Sequence, residues 1–195
     1  RKLLDLGFRK IYIGAGNGVT YDGGMGCAAA MGVRFFDKKG QDLKPAGISL
    51  LEIDSIDTDN LDPRIKDTEI TVMCSVNNPL FGEQGAAYVY GAYSGGGPDE
   101  LIHLERGMRN YAEIIKKTKG INLKNITGAG AAGGLPVALK VFLGAKLQSG
   151  ISTVLYLIHF EELIENASLV VVGEGMLDKT SIYGKAMTGI GMLCK

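Results

Sequence analysis

Excess charge of either sign is missing from this sequence: 21 Lys and Arg stand against 21 Asp and Glu. Without a basic surplus, nothing in the composition points to nucleic acid, and without an acidic one nothing points to a solvating tail. Cysteine is scarce and odd in number. Cys27, Cys74 and Cys194 lack CxxC spacing, which favours reduced thiols in a cytoplasmic protein over a disulfide framework or a zinc site. Cys74, at a strand end, reads as a buried thiol rather than a nucleophile. No apolar run is long enough to span a bilayer, and none reads as a signal peptide. His103 and His159 stand alone on expected helices, the first expected in solvent and the second at a core edge, with no nucleophile or metal partner in sight. There is no GxSxG elbow and no protein-kinase motif set. The Gly184-Lys185 pair lacks the upstream glycine of a Walker A loop.

What the chain has instead is glycine, 29 of 195 residues, roughly twice the usual share of ~7%. The glycines show no repeat period, so collagen and flexible linkers are excluded. They gather at a few loops. GAGNGVTYDGGMG (14–26) follows the strand-like KIYIG (10–14) and leads into an expected helix over 22–32, with Asp22 as N-cap. TGAGAAGGL (127–135) opens a helix with Pro136 in its first turn. SLVVVGEG (168–175) reads as a strand breaking into a third loop. Strands are also expected at 33–37 and 68–76, and helices at 47–56, from Glu83 to Tyr93, from Pro98 to Gly120, over 151–165 and near the end. In the helix opened by Pro98, Leu101, Leu104, Met108, Tyr111 and Ile115 form an apolar stripe. Strands alternate with helices, so the expected class is α/β with a mostly parallel sheet and flanking helices. Ligands of such sheets collect beyond the carboxyl ends of strands.

The first loop admits three readings. GAGNG with Asp37 at the end of the next strand resembles a dinucleotide fingerprint, which would make the protein an NAD-binding oxidoreductase. The interposed VTYD separates those glycines from the helix start, against that reading. The loop could equally cradle a phosphate or simply turn the chain. Three glycine loops of similar character favour anion binding, with Glu174 and Asp178 suited to Mg²⁺ and Lys185 to phosphate.

Taken together, the loops resemble the first type of bacterial glycerate kinase. That family's GGSAT-x-DGG loop corresponds to Gly16–Gly24, and its C-D-V-x-N-P-L segment to Cys74–Leu80, followed by GxxGAA at Gly82–Ala87. GAGAAGG is Gly128–Gly134, GEG-x-x-D is Gly173-Glu174-Gly175 with Asp178, and GKA is Gly184–Ala186. The resemblance covers essentially the whole chain. It implies ATP- and Mg²⁺-dependent phosphorylation of D-glycerate to a phosphoglycerate by a cytoplasmic enzyme, with a homodimer among the expectations. It also implies a two-domain architecture of which this chain is the middle portion, consistent with an opening (RKLLDLG) that reads as mid-helix. An inserted α/β domain is expected over 33–167, with 1–32 and 168–195 belonging to a flavodoxin-like domain. The site expected on this basis has Asp22, Asp178 and Lys185 as catalytic residues. Gly16, Thr20, Gly23, Gly24, Asn78, Gly128, Gly130, Gly133, Gly134, Gly173 and Gly175 would contact substrate or phosphate, and Glu174 and Asp178 would hold metal. The chain departs from the family pattern where an aspartate is Ser75, a lysine is Ser94, an arginine is Met176 and a glutamine is Thr180. Those departures motivate an alternative: a catalytically weakened member acting as a ligand-binding or regulatory module.

Overall fold

A computed structural model describes residues 1–16, 20–91, 94–174 and 186–194. Helix α1 (Lys2–Asp5) leads into strand β1 (Lys10–Ala15), followed by α2 (Met25–Ala30) and β2 (Arg34–Phe36). A 3-10 turn (Gly47–Leu51) then precedes β3 (Ser55–Asp57), and a second (Pro63–Asp67) precedes β4 (Glu69–Cys74). The long helix α3 (Pro98–Lys119), α4 (Leu135–Leu143), β5 (Lys146–Ser149), α5 (Gly150–Leu157), α6 (Phe160–Ile164) and α7 (Ala186–Leu193) complete the order.

The expected α/β class holds. Strands β1, β4 and β5 form a parallel sheet in the order β1-β4-β5, with Lys10 opposite Glu69 and Thr71 opposite Lys146. The central strand β4 reads EITVMC and buries Ile70, Thr71, Val72 and Cys74, as a strand covered on both faces must. Strands β2 and β3 form a separate antiparallel pair. Segment 1–32 supplies β1 and segment 33–167 supplies β4 and β5, so one sheet spans the two.

Helix α4, LPVALKVFL, is apolar nearly all round and lies between α2 and the sheet, with Val137, Ala138, Leu139, Phe142 and Leu143 buried. Helix α3 turns its stripe inward: Met108, Tyr111 and Ile115 are fully buried, and Gly120 ends it in the left-handed conformation. Phe35 sits edge-on to both Tyr111 and Phe142, at 6.2 and 6.0 Å between ring centres. It thereby ties the β2–β3 pair to the two main helices. Asn110 fastens α3 to the turn before β3, donating to the carbonyls of Leu50 and Ile53 at 2.9 Å each.

Several sequence expectations need correction, among them the helix expected over 151–165, which breaks at His159 into α5 and α6. The helix expected over 47–56 is a single 3-10 turn followed by β3, because Ser55–Asp57 pairs with β2. The helix expected from Glu83 is a five-residue π-helical turn, Ala87–Gly91. Strand β5 was hidden in KLQS, which is too short and too polar to read as a strand but completes the ladder on β4. The strand expected at 168–175 is irregular over its described part, 168–174. None of the described strands pairs with it, and without a ladder partner an apolar run cannot form a strand.

Candidate functional site

The sheet is parallel, so the carboxyl ends of β1, β4 and β5 share one edge, and the chain's first two glycine loops meet there. Beyond β1 the Gly16 carbonyl accepts the Ala132 N–H at 3.1 Å. Gly23 N–H donates to the Gly133 carbonyl at 3.1 Å, and the Thr20 hydroxyl reaches the Ala132 carbonyl at 3.4 Å. Beyond β4 the Asn78 carbonyl accepts Gly130 N–H at 2.9 Å. The loop 128–134 is thus wedged between the Thr20–Gly24 turn and the Asn78-Pro79 turn. Two positions show why it must be glycine. A Cβ on Gly133 would run into the Tyr21 backbone, and one on Gly130 into the Pro79 carbonyl. Of the expected site residues, Gly16, Thr20, Gly23, Gly24, Asn78, Gly128, Gly130, Gly133 and Gly134 are therefore brought into one cluster.

Several of these groups are already bonded within the protein. The Asp22 carboxylate accepts Gly24 N–H through Oδ1 and Gly26 N–H through Oδ2, both at 2.9 Å. It holds the turn at the entry to α2, whose first helical residue is Met25 rather than Asp22. Each oxygen keeps further acceptor capacity. The Asn78 amide donates to the Gln84 carbonyl at 2.9 Å, and its oxygen accepts the Tyr90 hydroxyl at 2.7 Å. Glu174 is half-buried and Gly173 exposed. Gly175, Asp178 and Lys185 lie outside the described residues, as do Met176, Thr180 and Asn17–Val19.

Electrostatics argue against thiol chemistry. Burial pushes the Cys74 thiol up, and burial together with the nearby Asp22 carboxylate does the same for Cys27. Burial, and secondarily Tyr21, raises the Tyr90 phenol. Tyr111, under Gly23, is fully buried with an unpartnered hydroxyl, and burial raises it far above the ordinary phenol range.

Sequence reasoning missed Glu105, which is 4% exposed on the buried side of α3. Its Oε1 accepts Gly82 N–H at 2.8 Å and meets Arg109 at 2.7 Å, and Arg109 lies over the Phe81 ring at 5.0 Å. This pins the loop that follows Asn78 to α3. The signal was available: Glu105 is a charged residue four positions after Leu101, within the apolar stripe. Tyr21 was also passed over. Its φ of +42° is rare for a side-chain-bearing residue, and its hydroxyl meets Ser94 Oγ at 2.8 Å. Tyr21, Ile48, Ser94, Glu100, His103 and Leu104 line an open cleft of about 550 Å³ beside the first loop. His103 is half-buried with an unpartnered Nε2, not in solvent as expected. His159 is exposed, not at a core edge, and meets Glu162 at 3.2 Å.

The dinucleotide reading fails on topology. Strand β2, which ends at Phe36 just before Asp37, pairs with β3 and not beside β1, and the Asp37 carboxylate caps its own turn through the N–H groups of Lys39 and Gln41. For Mg²⁺ the test is the donor set. Among the described residues no group of three or more His, Cys, Asp or Glu side chains could hold a metal. An ion carried by one or two carboxylates and substrate phosphates, the usual arrangement for Mg²⁺, asks for no such group; of the two expected ligands Glu174 is described and Asp178 is not.

A parallel sheet with interlocked glycine loops beyond its carboxyl edge defines an α/β protein of the class whose ligands collect at that edge. A model of the glycerate kinase family matches residues 1–195, and the chain belongs to that family. It is 41% identical over 192 residues to "Glycerate 2-kinase" of Escherichia coli K12, covering 98% of this chain and 50% of that protein. It is 38% identical to "Glycerate kinase" of Bacillus subtilis 168, with the same coverage. A crystal structure of a Salmonella typhimurium LT2 protein assigned as glycerate kinase 2 superposes with a TM-score of 0.85 at 38% identity, over 99% of this chain and 52% of that one. The chain spans about half the length of the curated relatives it matches. Among the described residues, no helix is long and apolar enough to cross a membrane.

Proposed function

We propose that the protein carrying this chain is an ATP-dependent kinase that transfers the γ-phosphoryl group to a hydroxyl of D-glycerate, releasing ADP and a phosphoglycerate. The observation that carries this reading is the family match over all 195 residues, supported by the convergence of the matching loops on one sheet edge. Phosphoryl transfer asks a protein chiefly for positioning and charge stabilisation. The interlocked loops suit the first demand, since a turn fixed by Asp22 and wedged against 128–134 has little freedom. The glycerate hydroxyl gives up its proton to solvent as its oxygen bonds to the γ-phosphorus, and the bond from that phosphorus to the β–γ bridging oxygen breaks to release ADP. Asp22, with acceptor capacity left on both oxygens, is the carboxylate proposed to orient the hydroxyl. Thr20, Asn78 and the glycine backbones of both loops frame the substrate, and Lys185 meets phosphate. Glu174 and Asp178 would hold Mg²⁺, which when bound neutralises developing phosphate charge. The reaction is assigned to the cytoplasm, and a homodimer is part of the same proposal. So is a two-domain architecture that completes the cleft, without the expected boundary near 32, because β1 and β4 share one sheet.

One observation favours a second reading, a weakened member that binds more than it turns over. Ser75 donates to the Ala15 carbonyl at 3.4 Å and Ser94 meets Tyr21, so neutral hydroxyls occupy two positions where the family pattern has charge. A coupled assay of the full-length protein with ATP, Mg²⁺ and D-glycerate decides between them. ADP release dependent on glycerate supports the kinase. Binding of both ligands by calorimetry without ADP release supports the weakened module.

A further inference from the structure

The cleft beside Tyr21 has no part in the kinase reading above, although its Ser94–Tyr21 contact enters the second reading. Its described lining carries the Glu100 carboxylate and no Lys or Arg. A small acid or a phosphate placed there would meet negative charge with no cation to offset it. Its volume, about 550 Å³, sits within the span typical of small-molecule sites and far exceeds a three-carbon acid. Its wall is apolar where Ile48, Leu101 and Leu104 meet, and aromatic at Tyr21.

The polar groups are spaced around that apolar patch. Glu100 Oε2 accepts Gly97 N–H at 2.8 Å at the start of α3, and Oε1 has no protein partner among the described residues. A carboxylate so placed can accept from a ribose diol, as acidic residues do in dinucleotide folds. Ser94 Oγ also reaches the Tyr90 carbonyl, at 3.3 Å. If it donates there, the Tyr21 hydroxyl must donate to Ser94, which leaves the Tyr21 oxygen able to accept from a ligand. Tyr21 itself is held in its left-handed conformation from both sides. A Cβ on Gly133 would strike its backbone nitrogen, and one on Gly47 would lie 2.6 Å from its carbonyl oxygen. Strain of this kind costs about 1–3 kcal/mol and persists where surroundings enforce it, commonly at ligand sites.

We infer that this cleft takes the nucleoside end of the phosphoryl donor, with Glu100 on the ribose hydroxyls and the base against Tyr21, Ile48 and Leu104. The assignment rests on the kinase reading for its choice of nucleotide and adds the nucleotide's seat. The test uses the full-length protein, with adenosine and ATP as calorimetric probes, on the parent and on Glu100→Gln and Ser94→Phe. Gln keeps an oxygen for Gly97 N–H, so the start of α3 is preserved, and circular dichroism melts check both variants. Loss of a charged hydrogen bond, or of the space, should weaken adenosine and ATP about tenfold while the KM for D-glycerate stays within about twofold. Unchanged adenosine and ATP affinity in both variants overturns the inference, even with turnover intact. A selective rise in the glycerate KM overturns it too, by assigning the cleft to the acceptor. A parent that binds adenosine through Glu100 yet releases no ADP with glycerate upholds the site and overturns the kinase reading.

Discussion

The loop at 128–134 and the segment at 168–174 look alike on paper, each a small-residue or glycine motif flanked by apolar residues, yet the structure treats them as opposites. Every residue from Gly128 to Gly134 is buried. In the other segment Leu169 is 79% and Val171 85% exposed. The first has neighbours on both sides, and the second has none among the described strands. A glycine motif therefore carries two separable meanings, close backbone approach and simple chain reversal, and neighbours decide which applies. Gly133→Ala tests this most severely. The position combines a φ of +71° with a collision at the Tyr21 backbone, and neither backbone can yield without opening the Gly23–Gly133 hydrogen bond. A loss of about 3 kcal/mol or more in urea unfolding is expected. A loss under about 1 kcal/mol would show that the two loops are not interlocked.

Asp22 comes next. Both its oxygens hold backbone N–H groups, so Asp22→Ala should cost about 2 kcal/mol and Asp22→Asn, with one oxygen left, about half of that. Should Asp22→Ala unfold at the parent's urea midpoint while turnover disappears, the carboxylate would belong to the chemistry alone and the loop would be held by glycine packing.

Much of the architecture was legible because it rests on local pattern. TEITVMC and the stripe on α3 bury what their patterns say they bury, and Gly120 marks its helix's end as short-range chemistry predicts; KIYIG forms its strand but is only half-buried, and Asp22 holds the turn before α2, whose N-cap is Gly24. What failed was non-local. KLQS becomes a strand through its pairing with β4, while SLVVV, a far better strand by composition, has no described partner. The candidate site was proposed from four loop motifs at family spacing; the residues from Gly16 to Gly134 in that set meet at one sheet edge, while Gly175, Asp178 and Lys185 lie outside the described residues. Their bonding was not legible. Nothing in the sequence says that Gly23 N–H faces Gly133, that Asn78 is spent on Gln84 and Tyr90, or that Tyr21 is pressed between two glycines. Only Glu105 left a trace, as a charge in an apolar register.

Tyr111 carries the comparison beneath the surface. It packs under Gly23, where a Cβ would lie 2.7 Å from its ring, and its hydroxyl is buried without a partner. The ring, not the oxygen, supports the loop. Tyr111→Phe should therefore leave the urea midpoint unchanged or raise stability by up to about 1 kcal/mol, since an unmatched buried hydroxyl is a cost. A loss above about 1 kcal/mol would mean that the hydroxyl is satisfied, by buried water for example, and that the loop rests on a polar floor.

The smallest effect is expected in the other region. A Cβ built on Gly173 meets nothing within 4 Å, and Gly173 does not adopt the left-handed conformation. Gly173→Ala in this chain should thus fall within about 0.5 kcal/mol of the parent, as surface substitutions do, with any gain coming from a stiffer unfolded chain. The same substitution in the full-length protein is the sharper measurement. Relatives of twice this length have polypeptide available to cover Leu169 and Val171. If that polypeptide packs on the segment, Gly173 acquires neighbours, and the cost in the longer protein should rise toward that of a buried loop glycine. Equal, near-zero costs in both would show that 168–174 is a chain reversal in its own right and that the contrast with 128–134 is intrinsic to the two motifs.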